Sequence, residues 1–325
     1  MNEIFTTPNS NFSTLSDGSI HDEEINLNYK EYRRQWMENP QKKIVRDFPI
    51  HLDIETTSRC NLKCTFCDRQ LFISQKNMGD INIFLYKKII DEGSERNLCG
   101  VKLSYRGEPL LHEKIVEMVE YAKKKNILDV FFNTNAMLLD EITASRLIDA
   151  GLNRISISIE GTDPETYEKM RRGAKFNRVL SNINKLMKLR EQANVKHPKL
   201  RIQTVRLPGI DIDEYVNFWT PHCDEVAAVD YQDCTNRISG LTKENWACPQ
   251  LWQRMTINWE GQIMACNNDD LSLLSMGNVR NKSIHQCWHD PMVQNARTLH
   301  QNGQSHLVEA CNGCPWRTAQ IQKVK

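Results

Sequence analysis

Three cysteines lie within eight residues in the first quarter of the chain, at Cys60, Cys64 and Cys67. Their spacing is C-x3-C-x2-C, and they follow directly after an apolar-alternating run at 50–54. A structural zinc site usually takes four Cys or His ligands, often as two close pairs, whereas no further Cys or His follows this triplet closely. Three thiolates on a four-iron cluster leave one iron without a protein ligand. The spacing therefore indicates a metal site that can bind a further molecule.

A second set of cysteines lies near the end of the chain, at Cys248, Cys266, Cys311 and Cys314. Twelve residues separate Cys248 from Gly261, four separate Gly261 from Cys266, and the last two cysteines form a C-x2-C pair. Four thiolates can close a four-iron cluster or a tetrahedral zinc site. The spacing alone leaves both possibilities open.

The elements that must position the first set alternate between strands and helices from residue 48 onward. Strands are predicted at 49–55, 100–104, 128–132, 153–159, 200–206 and 225–230, with helical patterns between them. Such alternation is typical of parallel βαβ units. Six units predict an α/β fold, a partial (β/α)6 TIM-like barrel, in which the chemistry lies on loops at the carboxyl ends of the strands. The first cysteine triplet follows the first strand, where such a site is expected.

The chain is predicted to have three parts. Residues 1–45 form a polar N-terminal extension. Residues 1 to about 30 are expected to be loosely attached, and one helix is predicted over 29–46. Residues 46–235 form the barrel. Residues 236–325 form a small cysteine-rich domain, a β-hairpin around the Glu260-Gly261 turn plus one helix over 283–299.

Composition excludes several classes of function. The net charge is +1, which gives no general attraction to nucleic acid. The longest apolar runs are far shorter than the roughly 20 residues that span a bilayer, and the first residues show no secretory signal. Eleven cysteines in a chain of 325 residues without such a signal indicate metal ligands in a reducing cytoplasm, not a disulfide scaffold.

Further motifs lie at the ends of successive predicted strands. They are Phe66 directly before the third cysteine, Tyr-Arg-Gly-Glu-Pro-Leu at 105–110, Asn-Thr-Asn-Ala at 133–136 and Ser-Ile-Ser-Ile-Glu-Gly at 156–161. With the triplet, this combination resembles the radical S-adenosylmethionine (SAM) superfamily over about residues 48–235. Two departures stand out, because Ala136 replaces a usual Gly and Glu160 stands where Asp is commoner.

The resemblance implies a [4Fe–4S] cluster on the first triplet, with SAM chelated to its open iron. Phe66 would lie against the adenine, Gly107 would permit close backbone approach and Pro109 would fix the turn. The implied cofactor-binding residues are Phe66, Gly107, Glu108, Pro109, Asn135, Ser158, Arg171 and Thr204. From the residues alone, Arg171 and the neighbouring Arg172 are equally well explained as a solvated helix face, and Ser158 as a bond to its own backbone.

The C-terminal set resembles the shortened, single-cluster form of the SPASM auxiliary domain, sometimes called twitch. It implies a second, auxiliary [4Fe–4S] cluster on Cys248, Cys266, Cys311 and Cys314, with zinc as the alternative. Such an enzyme cleaves SAM reductively and abstracts hydrogen from an unactivated C–H bond.

We expect an oxidoreductase acting on a small sugar-like or aminocyclitol substrate, because the N-terminal leader is too short for a peptide-binding domain. An electron donor such as flavodoxin or ferredoxin would serve it. The alternatives are a peptide- or protein-modifying maturase, an epimerase in which Cys234 returns a hydrogen atom, and a zinc-stabilised binding module without enzymatic activity.

Overall fold

Twelve strands and ten helices make up the described part of the chain in a computed structural model. The structure describes residues 12–16, 26–69, 77–233, 235, 237–242 and 246–322. The strands are β1 Phe12–Thr14, β2 His51–Ile54, β3 Lys63–Cys64, β4 Gly100–Lys102, β5 Asp129–Thr134, β6 Arg154–Ser158, β7 Arg171–Arg172, β8 Lys199–Arg206, β9 Glu225–Asp230, β10 Arg254–Ile257, β11 Gln262–Met264 and β12 Ser275–Asn278. The helices are α1 Leu27–Gln41, α2 Ile83–Glu95, α3 Ile115–Lys124, α4 Glu141–Asp149, α5 Pro164–Met170, α6 Phe176–Gln192, α7 Ile212–Trp219, α8 Ile284–Trp288, α9 Pro291–Gln301 and α10 Pro315–Gln322.

Ten of these strands form one sheet in the order β1-β9-β8-β6-β5-β4-β2-β10-β11-β12. The six central strands, from β9 to β2, pair in parallel, and helices connect them along the chain. They coincide with the six predicted strands to within a few residues. The α/β class and the partial six-stranded barrel are therefore confirmed.

The two faces of the barrel strands differ in polarity, as the period of two in a strand requires. On β2, Leu52 and Ile54 belong to the apolar core, whereas His51 and Asp53 are buried on the other face. The polar face carries ion pairs along its length. These join Asp53 to Lys102 and Arg254, Asp129 to Arg154, and Arg201 to Glu225.

Local sequence signals explain how the helices begin and end. The side chain of Asp140 accepts a hydrogen bond from the Thr143 N–H at 2.8 Å, which caps α4. After this helix Gly151 adopts a φ of 78°, a left-handed conformation that favours glycine. Both signals are readable in the sequence, and the structure confirms them.

The N-terminal residues that the structure describes are packed on the barrel. The loose attachment expected up to about residue 30 is wrong for the described residues of β1, whereas α1 agrees with the helix predicted over 29–46. β1 pairs antiparallel with the edge strand β9. On α1, Tyr32 is buried and its hydroxyl lies 3.2 Å from Nδ1 of His51. Apolar and aromatic side chains spaced along α1 provide the buried face that makes this docking favourable.

The C-terminal hairpin continues the barrel sheet, because β10 pairs in parallel with β2 and antiparallel with β11. The sheet therefore runs without a break across the boundary predicted near residue 235. The single helix predicted over 283–299 is wrong. It is two helices, α8 and α9, because Pro291 lacks an N–H and its ring excludes the preceding residue from the helix.

Candidate functional site

The first cysteine triplet lies on the loop after β2 and is fixed by a short antiparallel ladder. Lys63 and Cys64 of β3 pair with Arg172 and Arg171 of β7. Burial raises the pKa of the Cys64 thiol to about 11. Cys60 is half-buried, and burial raises its pKa as well, whereas Cys67 is exposed. In this apolar surrounding a cation must stabilise the thiolate form, as an iron cluster does.

Gly107 supports this loop through a close backbone approach. A Cβ atom at this position would lie 2.1 Å from the carbonyl oxygen of Thr57 and 2.7 Å from that of Arg59. The next residue continues the contact, since the Glu108 N–H donates to the Arg59 carbonyl at 2.8 Å. Gly107 and Glu108 therefore support the backbone of the cysteine loop, the first by close packing and the second by a hydrogen bond.

The Glu108 carboxylate is buried and accepts three hydrogen bonds. The donors are the Thr134 hydroxyl at 2.6 Å, the Asn135 N–H at 2.8 Å and the Leu110 N–H at 3.1 Å. Burial raises the pKa of Glu108 above its ordinary value. Buried Pro109 follows and opens the 3-10 helix Pro109–Leu111. These bonds tie the loop after β4 to the loop after β5.

Asn135 closes this arrangement onto the cysteine loop. Its Nδ2 donates to the side-chain oxygen of Asn61 at 2.8 Å, while its Oδ1 accepts from the Met137 N–H at 3.0 Å. Ala136 has a φ of 56°. This left-handed conformation is favourable for glycine and strained for alanine, which accounts for Gly being usual at this position in the resembling family.

Arg171 is buried and forms an ion pair, so it is not part of a solvated helix face. Its guanidinium donates to Glu160 through two nitrogens, it lies 3.9 Å from Cys64 Sγ, and it lies over the Phe66 ring at 5.4 Å. Burial works against the charged form, but the nearby Glu160 outweighs it and raises the pKa of Arg171. Arg172 is exposed.

Ser158 and Thr204 are placed on different faces of adjacent strands. The Ser158 hydroxyl accepts from Gln203 Nε2 at 3.3 Å, so it bonds a neighbouring side chain. Thr204, one residue along β8, shares the face of Leu200 and Ile202, which belong to the apolar core. The structure thus brings together the triplet, Phe66, Gly107, Glu108, Pro109, Asn135 and Arg171 around one loop, but it does not bring Thr204 to them.

The second cysteine set comes from three segments of the chain beyond the barrel strands. Cys248 precedes the 3-10 helix Pro249–Trp252, Cys266 follows β11, and Cys311 and Cys314 precede α10. Burial raises the pKa values of the Cys248, Cys266 and Cys311 thiols. The charges of other cysteines of the set raise them further, joined by Asp269 for Cys266 and Cys311. The four thiols are therefore close neighbours in a buried pocket.

Among the described residues, one group of three His, Cys, Asp or Glu side chains has its ligand atoms all within 4.8 Å of one another, namely Asp47, His285 and His289.

The Asp47 group is itself a hydrogen-bonded link. His285 Nε2 lies 3.1 Å from the Asp47 carboxylate, and His289 Nε2 lies 2.9 Å from the Asp47 backbone oxygen. Arg96 bonds the other carboxylate oxygen at 3.0 Å. The group fastens the segment before β2 to α8.

A connection between the two cysteine sets was missed by sequence reasoning. The Tyr105 hydroxyl donates to Asp270 at 3.0 Å, which joins the loop before Gly107 to the loop after Cys266. Arg106 pairs with Glu55 through two hydrogen bonds of 3.1 and 3.2 Å. Only the position of Tyr105 beside the Gly-Glu-Pro motif could have suggested this in advance.

His300 on α9 is a second residue that the sequence did not reveal. Its Nδ1 accepts from the Cys248 N–H at 3.1 Å, and its Nε2 lies 3.4 Å from Cys311 Sγ. Burial lowers the pKa of this imidazole to about 3.

The remaining cysteines and His112 take no visible part in either set. Cys234 lies outside the described residues. Cys287 is buried on α8, and Cys99 and Cys223 are half-buried. None of the ten described cysteines forms a disulfide. Both ring nitrogens of His112 bond backbone groups, those of Ile81 and Lys114, so this histidine has a structural role.

Comparisons with known proteins agree with this geometry. The family model of the radical SAM superfamily matches residues 54–214, and that of the SPASM iron–sulfur cluster-binding domain matches residues 248–315. Together the two matches cover well over half of the chain. The chain belongs to the radical SAM superfamily and carries a C-terminal SPASM domain. The first domain implies a [4Fe–4S] cluster with SAM, and the second implies auxiliary iron–sulfur clusters.

Among curated proteins, the chain is similar to GTP 3',8-cyclases. It is 30% identical over 170 residues to that of Desulforamulus reducens, covering 52% of this chain and 50% of the relative. It is 34% identical over 136 residues to the probable enzyme of Methanocaldococcus jannaschii, covering 41% and 44%. The chain thus matches about half the length of these relatives.

Solved structures share the fold at low sequence identity. BtrN in complex with AdoMet and 2-DOIA is 18% identical with a TM-score of 0.55, covering 82% of this chain and 93% of BtrN. Streptococcus suis SuiB bound to precursor peptide SuiA is 16% identical with a TM-score of 0.64, covering 90% and 78%. No described helix has the length and apolar character that a membrane span needs.

Proposed function

We propose that this radical SAM enzyme oxidises a small, hydroxylated substrate, sugar-like or aminocyclitol in type, to a carbonyl compound. Cys60, Cys64 and Cys67 would hold the SAM-binding cluster, and Cys248, Cys266, Cys311 and Cys314 the auxiliary one. When bound, the first cluster and SAM supply a 5′-deoxyadenosyl radical that removes a hydrogen atom, and the auxiliary cluster accepts an electron.

The observation that carries the proposal is the bond between Tyr105 and Asp270. Tyr105 lies two residues before Gly107, which packs on the cysteine loop, and Asp270 lies four residues after Cys266. Their hydrogen bond of 3.0 Å therefore places a carboxylate where the loops of the two cysteine sets meet. Oxidation of an alcohol needs acceptors for a hydrogen atom, an electron and a proton, and this carboxylate can accept the proton.

Asp270 is the residue we assign as that acceptor. Oxidising an alcohol to a carbonyl removes the carbinol hydrogen atom, the hydroxyl proton and one further electron. The cofactors, when bound, would take up the hydrogen atom and the electron, so the step left to the protein is the transfer of the hydroxyl proton to Asp270. Burial raises the pKa of Asp270, which makes it a better base once it is ionised.

The polar face of the barrel supports a substrate rich in hydroxyl groups. The Glu55–Arg106 pair and the Ser158–Gln203 pair lie at the carboxyl ends of their strands. Such paired donors and acceptors can exchange partners with hydroxyl groups without leaving a charge unpaired.

The names of similar proteins bear on the substrate in two ways. The curated relatives are named for GTP, a small molecule, and the BtrN structure contains 2-DOIA. The SuiB structure contains a precursor peptide, which favours modification of a peptide or protein as the second candidate. The proposal also includes domain boundaries near residues 45 and 235. It further includes a flavodoxin or ferredoxin as electron donor and a location in the reducing cytoplasm.

The experiment that tests the function uses anaerobically reconstituted protein with dithionite and panels of sugars, aminocyclitols and peptides. Substrates deuterated at candidate carbinol positions should pass one deuterium into 5′-deoxyadenosine and yield a product two mass units lighter than its undeuterated substrate. A peptide as the sole deuterium donor would overturn the small-molecule assignment. Cys234→Ala separates the epimerase alternative, since it should leave a dehydrogenase working and stop an epimerase.

A further inference from the structure

His300 contacts two of the four auxiliary cysteines with its two ring nitrogens. Nδ1 accepts a hydrogen bond from the backbone N–H of Cys248 at 3.1 Å, and Nε2 lies 3.4 Å from the sulfur of Cys311. The side chain is only 1% exposed. A hydrogen-bonding group buried at this depth has no solvent partner to exchange with, so both contacts persist.

The first contact decides what the second one is. A backbone N–H is a donor only, so Nδ1 must carry a lone pair and no proton. A neutral imidazole with a bare Nδ1 carries its proton on Nε2. The contact with Cys311 is therefore an N–H···S hydrogen bond in which His300 donates.

The surrounding packing fixes the ring in this orientation. The ring of Trp246 lies 5.9 Å from that of His300. One turn earlier on α9, the buried Arg297 donates to the backbone oxygens of Leu251 and Trp288 at 2.8 and 2.9 Å. These bonds hold α9 against the 3-10 helix that follows Cys248, so the donor is placed before any cluster binds.

We propose that His300 is a positioning residue that sets the reduction potential of the auxiliary cluster through its bond to Cys311. The proposal rests on the ligand set assigned under the proposed function. A hydrogen bond to a ligating sulfur withdraws negative charge from the cluster, which favours the reduced form and raises the potential. His300 would therefore make the cluster a better acceptor of the substrate electron.

Two substitutions separate the two bonds of the imidazole. His300→Gln places an amide N–H near the position of Nε2 and keeps a donor for the sulfur. His300→Asn places an amide oxygen near the position of Nδ1, which keeps the acceptor for Cys248 but removes the sulfur's donor. The matched control is His306→Asn, a half-buried histidine on the 3-10 helix Ser305–Leu307.

The measurement is a mediated redox titration of the auxiliary cluster, followed by electron paramagnetic resonance. It is made in a background with Cys60, Cys64 and Cys67 replaced by Ala, so that only the auxiliary cluster reports. We expect His300→Asn to lower the equilibrium constant for reduction about tenfold, ~59 mV for a one-electron couple. His300→Gln and His306→Asn should stay close to the parent protein.

Equal potentials in the parent and both His300 variants would overturn the proposal, and so would equal losses in Asn and Gln, which would indicate packing alone. If either variant fails to hold iron, pulsed electron paramagnetic resonance of the reduced parent, labelled with ¹⁵N-histidine, replaces it. A ¹⁵N hyperfine coupling to the cluster supports the bond to Cys311, and the absence of coupling overturns it. A parent that binds no iron overturns the ligand set as well, and iron analysis distinguishes that result from the others.

Discussion

Gly107 packs against Thr57 so closely that a Cβ atom would lie 2.1 Å from the Thr57 carbonyl oxygen. Both partners are backbone, so neither side can rotate away. We predict that Gly107→Ala displaces the cysteine loop, lowers the free energy of unfolding by about 1–3 kcal/mol and reduces the iron held by the first triplet. Iron analysis and thermal melting after anaerobic reconstitution measure both effects.

The control for this change is Gly209→Ala. Gly209 has a φ of 87°, and no atom lies within 4 Å of the position that a methyl group would take there, so alanine strains the backbone without a clash. This variant should lose some stability but keep its iron. Full iron in Gly107→Ala would show that the close approach does not support the triplet.

The buried Arg171–Glu160 pair next to Cys64 gives a second prediction. Glu160 has no exposed side-chain surface, so Arg171→Ala leaves a buried carboxylate without its partner. Removing one member of such a pair lowers the free energy of unfolding by about 3–5 kcal/mol. Chemical denaturation of single and double variants measures it. The Arg171→Ala/Glu160→Gln double variant should regain part of the loss, and purely additive losses would contradict the coupling.

The Asp129–Arg154 pair inside the barrel gives a pH dependence. Burial raises the pKa of Asp129, but the charge and hydrogen bond of Arg154 outweigh it and hold the pKa below its ordinary value. A lowered carboxylate pKa contributes stability that is present above the ordinary value of about 3.9 and is lost as pH falls through the folded-state pKa. Asp129→Asn should be less stable than the parent at pH 7, by about 3–5 kcal/mol, and the difference should shrink towards acid pH. Denaturation curves at stepped pH check this, and a constant difference would contradict it.

Removing the Tyr105–Asp270 hydrogen bond should uncouple product formation from SAM cleavage. Asp270→Asn removes the proton acceptor and should slow product formation by about 10²-fold or more, while SAM cleavage continues. Tyr105→Phe keeps the carboxylate and should slow product formation by roughly tenfold. The ratio of product to 5′-deoxyadenosine, measured with any substrate that transfers deuterium, reports both.

A matched tyrosine–aspartate pair provides the control, since Tyr121 donates to Asp91 at 2.7 Å on the outside of the barrel. Tyr121→Phe should leave the ratio unchanged. The parent should lose product formation as pH falls through the raised pKa of Asp270, because only the ionised form accepts a proton. If product formation by Asp270→Asn falls over the same acid pH range as that of the parent, Asp270 is not the proton acceptor.

The strands and the triplet could be predicted from the sequence, because each depends on residues close together in the chain. The second cysteine set, spread over 248–314, could be predicted only because its spacing resembles a known pattern. Strand polarity alternates locally, and Asp140 and Gly151 bracket their helix by their own side-chain and backbone preferences. The break at Pro291 could have been predicted from the residue type, but the predicted helix over 283–299 ran through it.

The contacts that join distant segments could not be predicted in this way. The partnership of His300 with Cys311, and that of Tyr105 with Asp270, spans parts of the chain whose proximity only the folded sheet creates. Arg171 and Thr204 show the same limit. Their positions in the sequence predict that both bind the cofactor. In the structure the Arg171 guanidinium pairs with Glu160. Thr204 lies on the face of β8 that packs on the apolar core.

The most direct test of the account is whether the first triplet alone supports cleavage of SAM. Reconstituted parent protein should hold about eight irons and form 5′-deoxyadenosine with dithionite, whereas the protein with Cys60, Cys64 and Cys67 replaced by Ala should hold about four and form none. A parent that binds zinc in place of iron, or a triple variant that still cleaves SAM, would contradict the account.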